Sequence, residues 1–335
     1  MPMRREEFPE VHIVLVAEPR RGYANMVTLL LYSLRRNGGP LRTAPVTMVM
    51  NGATMNDSAS RRIQDRFAPV RIRVMPRIPG PIFASKFNAM YALDDHEWET
   101  MVYLDCDIVV YNDLTELLRR AGDAGFAAIA AGQQSFHDYR RLLSLCTAMA
   151  TEELESKRDD RFSTRYPLFH GGMYVARRSH IESFRRDALA ICHDLFSQRY
   201  SSPRQFLRFL YNDRLLNPKY ASHIFQRTAG KFLHPLGPYC PLWCTEQVGL
   251  AAAILRNRVP YELLPDRCVW NRPFCPDDGI APPLFHYMRG IYPIDRNRLF
   301  DGAWVSQYQD DHQPMKRRLA ELVIECRKDM EAEES

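Results

Sequence analysis

Met101-Val102-Tyr103-Leu104-Asp105-Cys106-Asp107-Ile108-Val109-Val110 is the stretch on which the reading of this chain turns. Met101 to Leu104 form a short apolar run, of the kind carried by a strand buried on both faces. Asp105 and Asp107 follow two residues apart, and in an extended chain positions i and i+2 project to the same side. Two carboxylates on one side of a strand end repel each other unless a cation lies between them. Hard divalent ions such as Mg2+ or Mn2+ suit oxygen ligands and keep positions free for substrate phosphates. Open α/β sheets bind ligands at the carboxyl ends of their strands. Asp-x-Asp by itself is common, and Asp is a frequent turn and cap residue, so the surrounding chain has to decide between a metal site and a turn.

The chain has 335 residues, 46% of them hydrophobic and 25% charged, with a net charge of +5. That length allows one large α/β domain or two smaller ones, with ample material for a core. Most of its basic residues are Arg, interleaved with Asp and Glu. That pattern reads as a solvated surface and gives no ground for nucleic-acid binding. Met1 to Glu10 has no apolar leader-like run, and no stretch approaches the length of a membrane span. A soluble cytoplasmic protein is the simplest expectation, with peripheral membrane contact left open. Eight cysteines in a chain this long are not a small disulfide framework. Cys240, Cys244, Cys268 and Cys275 offer four thiolates, but their spacing fits no common zinc pattern, and buried free thiols are ordinary.

Outward from the central stretch, Val11 to Ala17 (VHIVLVA) reads as a first strand, Glu18 to Gly22 as a turn, and the Met26–Leu34 period as a helix stopped at Asn37-Gly38-Gly39-Pro40. Val46 to Met50 and Val70 to Val74 read as further strands, with a helix carrying Ile63 and Phe67 between them. This β-α-β-α-β half predicts a parallel sheet with right-handed crossovers. No G-x-G-x-x-G fingerprint and no Gly-Lys-Ser/Thr phosphate loop is present. Ser85 to Leu93 reads as a helix whose Lys86 is either a solvated lysine or a phosphate contact. Phe126 to Ala131 is a short strand, and Gln133 to Arg165 has the polar character of an insertion or a mobile cover. Leu168 to Val175 returns to strand pattern, with Gly171 and Gly172 marking a bulge or a close backbone approach. Ser197 to Pro241 is irregular. Glu246 to Leu255 is helical, Tyr261 to Leu264 and Leu284-Phe285-His286 are short apolar runs, and Met315 to Met330 has the spacing of an amphipathic helix.

These stretches together resemble the GT-A glycosyltransferases, most closely the glycogenin/galactosyltransferase-like family 8, over most of residues 11–293. The carriers are the first strand with Tyr23-Ala24 and Leu31 to Asn37, then Asp105-Cys106-Asp107. Phe169-His170-Gly171-Gly172-Met173, Glu246-Gln247 and Leu284-Phe285-His286 follow in the family's order. The resemblance implies an α/β fold with a GT-A type, Rossmann-like mixed sheet flanked by helices, with helical insertions. Residues 1–300 would form a single catalytic domain, with 11–131 its nucleotide-binding half and 132–300 its acceptor-side half; 301–335 would be a C-terminal helical tail. It implies Mn2+ or Mg2+ on Asp105, Asp107 and His286. It also implies a nucleotide-sugar donor against Ala17, Glu18, Tyr23, Lys86, Cys106, His170, Gly171, Gly172, Arg289 and Gly290. The activity implied is that of a hexosyltransferase using a UDP-sugar with retention, on an acceptor (glycan, lipid, protein or small molecule) that the sequence does not name. His170 stands where the family has Asn, and Glu246 where it has Asp. The late Gly and Lys-Pro are replaced by Arg289, Gly290 and Tyr292-Pro293, so the usual diphosphate lysine is missing and Lys86 or Arg289 must supply its charge.

The chemistry is consistent with that reading. Charge builds on the bridging phosphate oxygen as a sugar departs, and a divalent ion with nearby cations offsets it. A neutral histidine is a competent ligand. Glu246 would position the sugar or act as a base toward an acceptor hydroxyl, or else is a carboxylate favoured by a helix N-terminus. Three other readings compete. A nucleotidyltransferase would open with a Gly-rich loop after the first strand, where this chain has one glycine. A serine esterase is suggested by His170-Gly171-Gly172, but the chain lacks a G-x-S-x-G elbow. A non-catalytic sugar-nucleotide-binding protein with a degenerate site is the third.

Overall fold

A computed structural model of the chain describes residues 10–55, 57–78, 83–131, 139–196, 244–270, 279–287 and 296–334. Its centre is a seven-stranded mixed sheet in the order β3-β2-β1-β4-β7-β6-β8. The strands are β1 (Val11–Ala17), β2 (Val46–Asn51), β3 (Val70–Met75), β4 (Thr100–Asp105), β6 (Phe126–Ala130), β7 (Phe169–Arg177) and β8 (Tyr261–Leu264). The first four run parallel, as the β-α-β-α-β pattern predicts. Direction changes at β4: β7 pairs with it antiparallel, Leu104 opposite Met173, and β6 is antiparallel to β7. A second sheet of three short strands, in the order β5-β10-β9, consists of β5 (Ile108–Val110), β9 (Val269–Trp270) and β10 (Leu284–His286).

Every residue of β4 is buried, because helices cover both faces of the sheet. Alternation then splits the strand between two cores. Val102 and Leu104 join Ile13 and Leu15 under α1 (Arg21–Asn37). Met101 and Tyr103 join Val14 and Val16 under α6 (Arg178–Phe196) and α7 (Thr245–Arg256). The C-terminal helix Pro314–Glu334 buries Met315, Leu319, Leu322, Val323 and Cys326 in the first core. It is fastened to α1 by Tyr32 donating to Asp329 Oδ2 at 2.6 Å and by an Arg36–Glu325 pair at 3.0 Å. No helix among the described residues is long and apolar enough to cross a membrane.

The helix expected over Ser85 to Leu93 is a 3-10 helix over residues 84–91. Tertiary ties explain it: Asn88 Nδ2 donates to Asn51 Oδ1 and to the Pro76 carbonyl, both at 2.9 Å, and nearly every side chain of the turn is buried. Of the segment Gln133 to Arg165, read as an insertion or a mobile cover, residues 139–165 are packed: Tyr139, Leu142, Leu143, Leu154 and Phe162 are core residues, and no charged residue among them is buried. Residues 133–138 and Ser197 to Pro241 lie outside the described residues.

At the opposite end of β1 from its carboxyl terminus, His12 is buried and shares a 2.8 Å hydrogen bond with Thr47 Oγ1. Burial lowers its pKa from 6.5 to about 4, helped by His96 and Arg71, whose charges oppose a second one. A histidine whose folded pKa is depressed stabilises the fold above its ordinary value and loses that contribution as pH falls toward the folded value. Unfolding free energy should therefore decline from about pH 7 to about pH 4.5, with about 2 kcal/mol of the decline belonging to His12. Urea titrations of the wild type and His12→Gln across that range check this; equal slopes in the two proteins would overturn it.

Candidate active site

The site is assembled where β4 ends. Asp105 is its last residue, Cys106-Asp107 is a turn, and the chain then enters β5 of the second sheet. β10 runs antiparallel to β5 with His286 opposite Ile108, and the Tyr287 N–H donates to the Asp107 carbonyl at 3.1 Å. His286 Nε2 consequently lies 3.0 Å from Asp107 Oδ1 and 4.0 Å from Asp105 Oδ2. One ligand atom from each of Asp105, Asp107 and His286 falls within 4.8 Å of the others. The turn and the β10 pairing bring these groups together, rather than the strand pleat that the two-residue spacing suggests.

Partners for the buried charge come from two further elements. Lys86 Nζ donates to Asp105 Oδ2 at 2.6 Å and to the Gly171 carbonyl at 3.3 Å. The Tyr103 hydroxyl donates to Asp105 Oδ1, and its ring stacks on Tyr174 at 4.7 Å. Burial works against a charged Lys86, but the carboxylates of Asp105, Glu246 and Asp107 outweigh it and hold the ammonium above its ordinary pKa. Burial likewise raises Asp107, and the nearby His286 and Lys86 outweigh that and hold it below the usual carboxylate range. Cys106 between them is pushed well up by burial and then by the two carboxylates, so it stays a neutral thiol.

β7 supplies the far wall. Its first residues lie beside the end of β4 because the two strands are antiparallel. The Gly172 N–H donates to His170 Nδ1 at 3.1 Å, which fixes the remaining proton of a neutral ring on Nε2. The His170 and His286 rings meet edge to face at 5.3 Å. Gly171 faces α7, where Glu246 and Gln247 occupy the first turn, both buried. A side chain at Gly171 would come within 3.0 Å of Glu246 Oε1. Gln247 Oε1 and His286 Nδ1 are buried without a hydrogen-bond partner among the described residues.

On the other side of the carboxylates a cleft of about 210 Å³ opens, with Ala17, Glu18, Tyr23, Lys86, Asp105, Cys106 and Asp107 on its wall. Three polar wall residues escape sequence reasoning. Asn51 ends β2, at the carboxyl end of a parallel strand next to β1, and that position was its only signal. Ser85 adjoins Lys86 on the wall. Arg296 lies in a polar run with no periodicity; its guanidinium sits 4.8 Å from the centre of the Tyr23 ring. Asn25 Nδ2 donates to the Arg296 carbonyl at 3.1 Å, and Gly22 leaves room for the Arg296 stem, where a Cβ would come within 2.5 Å. Glu18 is paired with Arg77. Arg289, Gly290, Cys240 and Cys275 lie outside the described residues, while Cys244 and Cys268 are buried.

No family model matches the chain, and no curated protein matches it by sequence. Solved structures match in shape. The galactosyltransferase LgtC in complex with donor and acceptor sugar analogues is 13% identical, with 93% of this chain and 95% of that chain covered at a TM-score of 0.46. An active-site mutant of LgtC is 12% identical, with 93% and 94% covered at a TM-score of 0.49. The bifunctional glycosyltransferase WbbM is 13% identical over 84% of this chain at a TM-score of 0.43, and the match spans only 46% of WbbM. Likeness at this level bears on shape alone.

The glycines of β7 give a test of the packing. A Cβ at Gly172 would lie 2.7 Å from His170 Cε1 and 3.2 Å from His286 Cε1. Gly172→Ala should push both imidazoles aside and destabilise the fold by about 1–3 kcal/mol. Differential scanning calorimetry checks this, and an unchanged melting temperature would show that the rings have room to move.

Proposed function

We propose that this chain is a metal-dependent glycosyltransferase of the GT-A type, moving a sugar from a nucleoside diphosphate sugar to an acceptor hydroxyl. The observation that carries the reading is the convergence of Asp105, Asp107 and His286 at the end of the central strand, with both carboxylates on the wall of a cleft that reaches the β1–α1 turn. Two carboxylates and an imidazole suit Mn2+ or Mg2+, and the chemistry of this donor set fits such an ion. His286 Nε2 is the ring atom that faces the carboxylates, so it would be the third ligand. The ion would supply Lewis-acid stabilisation of charge on the departing diphosphate.

The chain's own residues would do the rest. Tyr23, Asn51 and Arg296 line the cleft together with the carboxylates and would hold the nucleoside. Lys86 would place a positive charge at the phosphates. Gly171 and Gly172 let the sugar approach the backbone of β7, with His170, Glu246 and Gln247 around it. The polar oxygen of Gln247, buried and unpaired among the described residues, suits a sugar hydroxyl. UDP as the nucleotide, a hexose as the sugar and retention at the anomeric carbon rest on the motif resemblance. The single glycine in Glu18 to Gly22 speaks against a nucleotidyltransferase.

Isothermal titration with nucleoside diphosphates, with and without Mn2+, tests the reading. Binding should require the metal. Asp107→Ala should weaken metal-dependent binding by on the order of 100-fold or more and abolish both transfer and slow donor hydrolysis. Retained activity in that variant would sink the assignment. Tight metal-dependent binding without turnover on any acceptor or on water would instead favour a sugar-nucleotide-binding protein. Arg296→Ala should weaken nucleoside diphosphate binding by about tenfold, through loss of the stacked guanidinium, while leaving the affinity for inorganic pyrophosphate nearly unchanged. Equal losses for the two ligands would place Arg296 at the phosphates instead.

A further inference from the structure

Lys86 is bound into the carboxylate pair itself. Its ammonium donates to Asp105 Oδ2, the same oxygen that lies 4.0 Å from His286 Nε2, on the side where the three ligand groups converge. The other Asp105 oxygen takes the Tyr103 hydroxyl. Both oxygens of this carboxylate are therefore hydrogen-bonded within the protein, one of them to a full positive charge. The Lys86 side chain is only 25% exposed, so water screens that charge weakly.

The cleft's charge balance follows from its described wall residues. Glu18, Asp105 and Asp107 contribute three negative charges, and Lys86 and Arg296 two positive ones. Arg77 pairs with Glu18 and is not on the wall, so it closes that charge off. Two wall carboxylates are then left facing two cations, and the buried Glu246, off the wall, adds a negative charge that also acts on Lys86. A divalent cation arriving alone meets the Lys86 ammonium on a shared carboxylate. A diphosphate ester of charge −2 arriving alone meets Asp105 and Asp107. Arriving together, the two ligands offset each other's charge.

We propose that Lys86 makes the two ligands depend on each other. By sharing Asp105 Oδ2 it lowers the affinity of the Asp105–Asp107–His286 group for a divalent cation alone. With a diphosphate in the cleft its charge is turned to use on the phosphate oxygens, so metal and diphosphate bind far better together than singly. Such coupling is reciprocal by linkage. The inference rests on the metal–diphosphate reading above and adds to it the residue that sets the cooperativity. The plain alternative is a strut: Lys86 would only tie β4 to β7 through Asp105 and the Gly171 carbonyl.

Mn2+ titration followed by the EPR signal of the free ion, with and without UDP, separates the two. Lys86→Gln removes the charge and keeps a donor for Asp105 and Gly171; Lys86→Arg keeps the charge. Lys86→Gln should bind Mn2+ alone about tenfold or more tightly than the wild type, and the enhancement of Mn2+ affinity by UDP should fall by a similar factor. Lys86→Arg should behave as the wild type. Unchanged or weaker Mn2+ binding by folded Lys86→Gln, with its melting temperature read alongside, overturns the coupling and leaves the strut. The wild type gives a check that needs no variant: if UDP leaves its Mn2+ affinity unaltered, the proposal is wrong. A wild type that takes up no Mn2+ with or without UDP would instead bring down the metal-site reading itself, and the coupling with it.

Discussion

Two like-charged carboxylates held at the end of a strand that is buried on both faces are the constraint on which this structure depends. Charge in such a place is costly unless it is paired and hydrogen-bonded. The chain supplies that pairing from three elements: Lys86 from the 3-10 turn before β4, Tyr103 from β4 itself, and His286 from β10, far along the sequence. Each partner also fixes a larger element. Lys86 links β4 to the Gly171 carbonyl of β7, and His286 is delivered only if the small β5-β10-β9 sheet forms. Satisfying the carboxylates therefore locks two sheets and one turn together.

The reversal of strand direction at β4 does the geometric work. Because β1, β2 and β4 are parallel, their carboxyl ends share one edge, which gives the cleft its Ala17, Asn51 and Asp105. Because β7 is antiparallel to β4, its beginning rather than its end lies on that same edge. His170, Gly171 and Gly172 thus reach a point that a fully parallel sheet would have given to the last residues of a strand. Small residues are needed there, since the His170 and His286 rings occupy the space beside Gly172, and Glu246 the space beside Gly171.

Much of this could be read from the chain. The apolar runs at Val11 to Ala17, Val46 to Met50 and Met101 to Leu104 give strands buried on both faces, and their spacing gives the parallel half. The direction of β7 could not be read from its own pattern, because a doubly buried strand carries no mark of its orientation; the resemblance implied only that the sheet is mixed. That the helix read over Ser85 to Leu93 is of the 3-10 kind had no signal, because Asn88 is tied to Asn51 and Pro76 by contacts that local propensity does not contain. Asp105 and Asp107 were legible as a pair, but for an incomplete reason. Cys106-Asp107 is a turn, and the approach of Asp107 to His286 depends on the pairing of β10 with β5, about 180 residues later in the chain. Arg296 had no signal at all: an arginine in a polar run acquires meaning only when its ring partner, Tyr23, is seen beside it.

Arg296 also shows how the cleft is held at the β1–α1 turn. Asn25 binds its carbonyl, Tyr23 carries its guanidinium and Gly22 accommodates its stem, so three residues at the start of α1 grip one residue that follows the β10 region. His286 is held through Asp107. Residues 286 and 296 are therefore anchored at two places, one at the carboxylate pair and the other at the β1–α1 turn. A ligand long enough to touch both anchors would bind the second sheet and the C-terminal region to the parallel half of the main sheet. Its affinity would then depend on how well those anchors hold as much as on the contacts it makes itself.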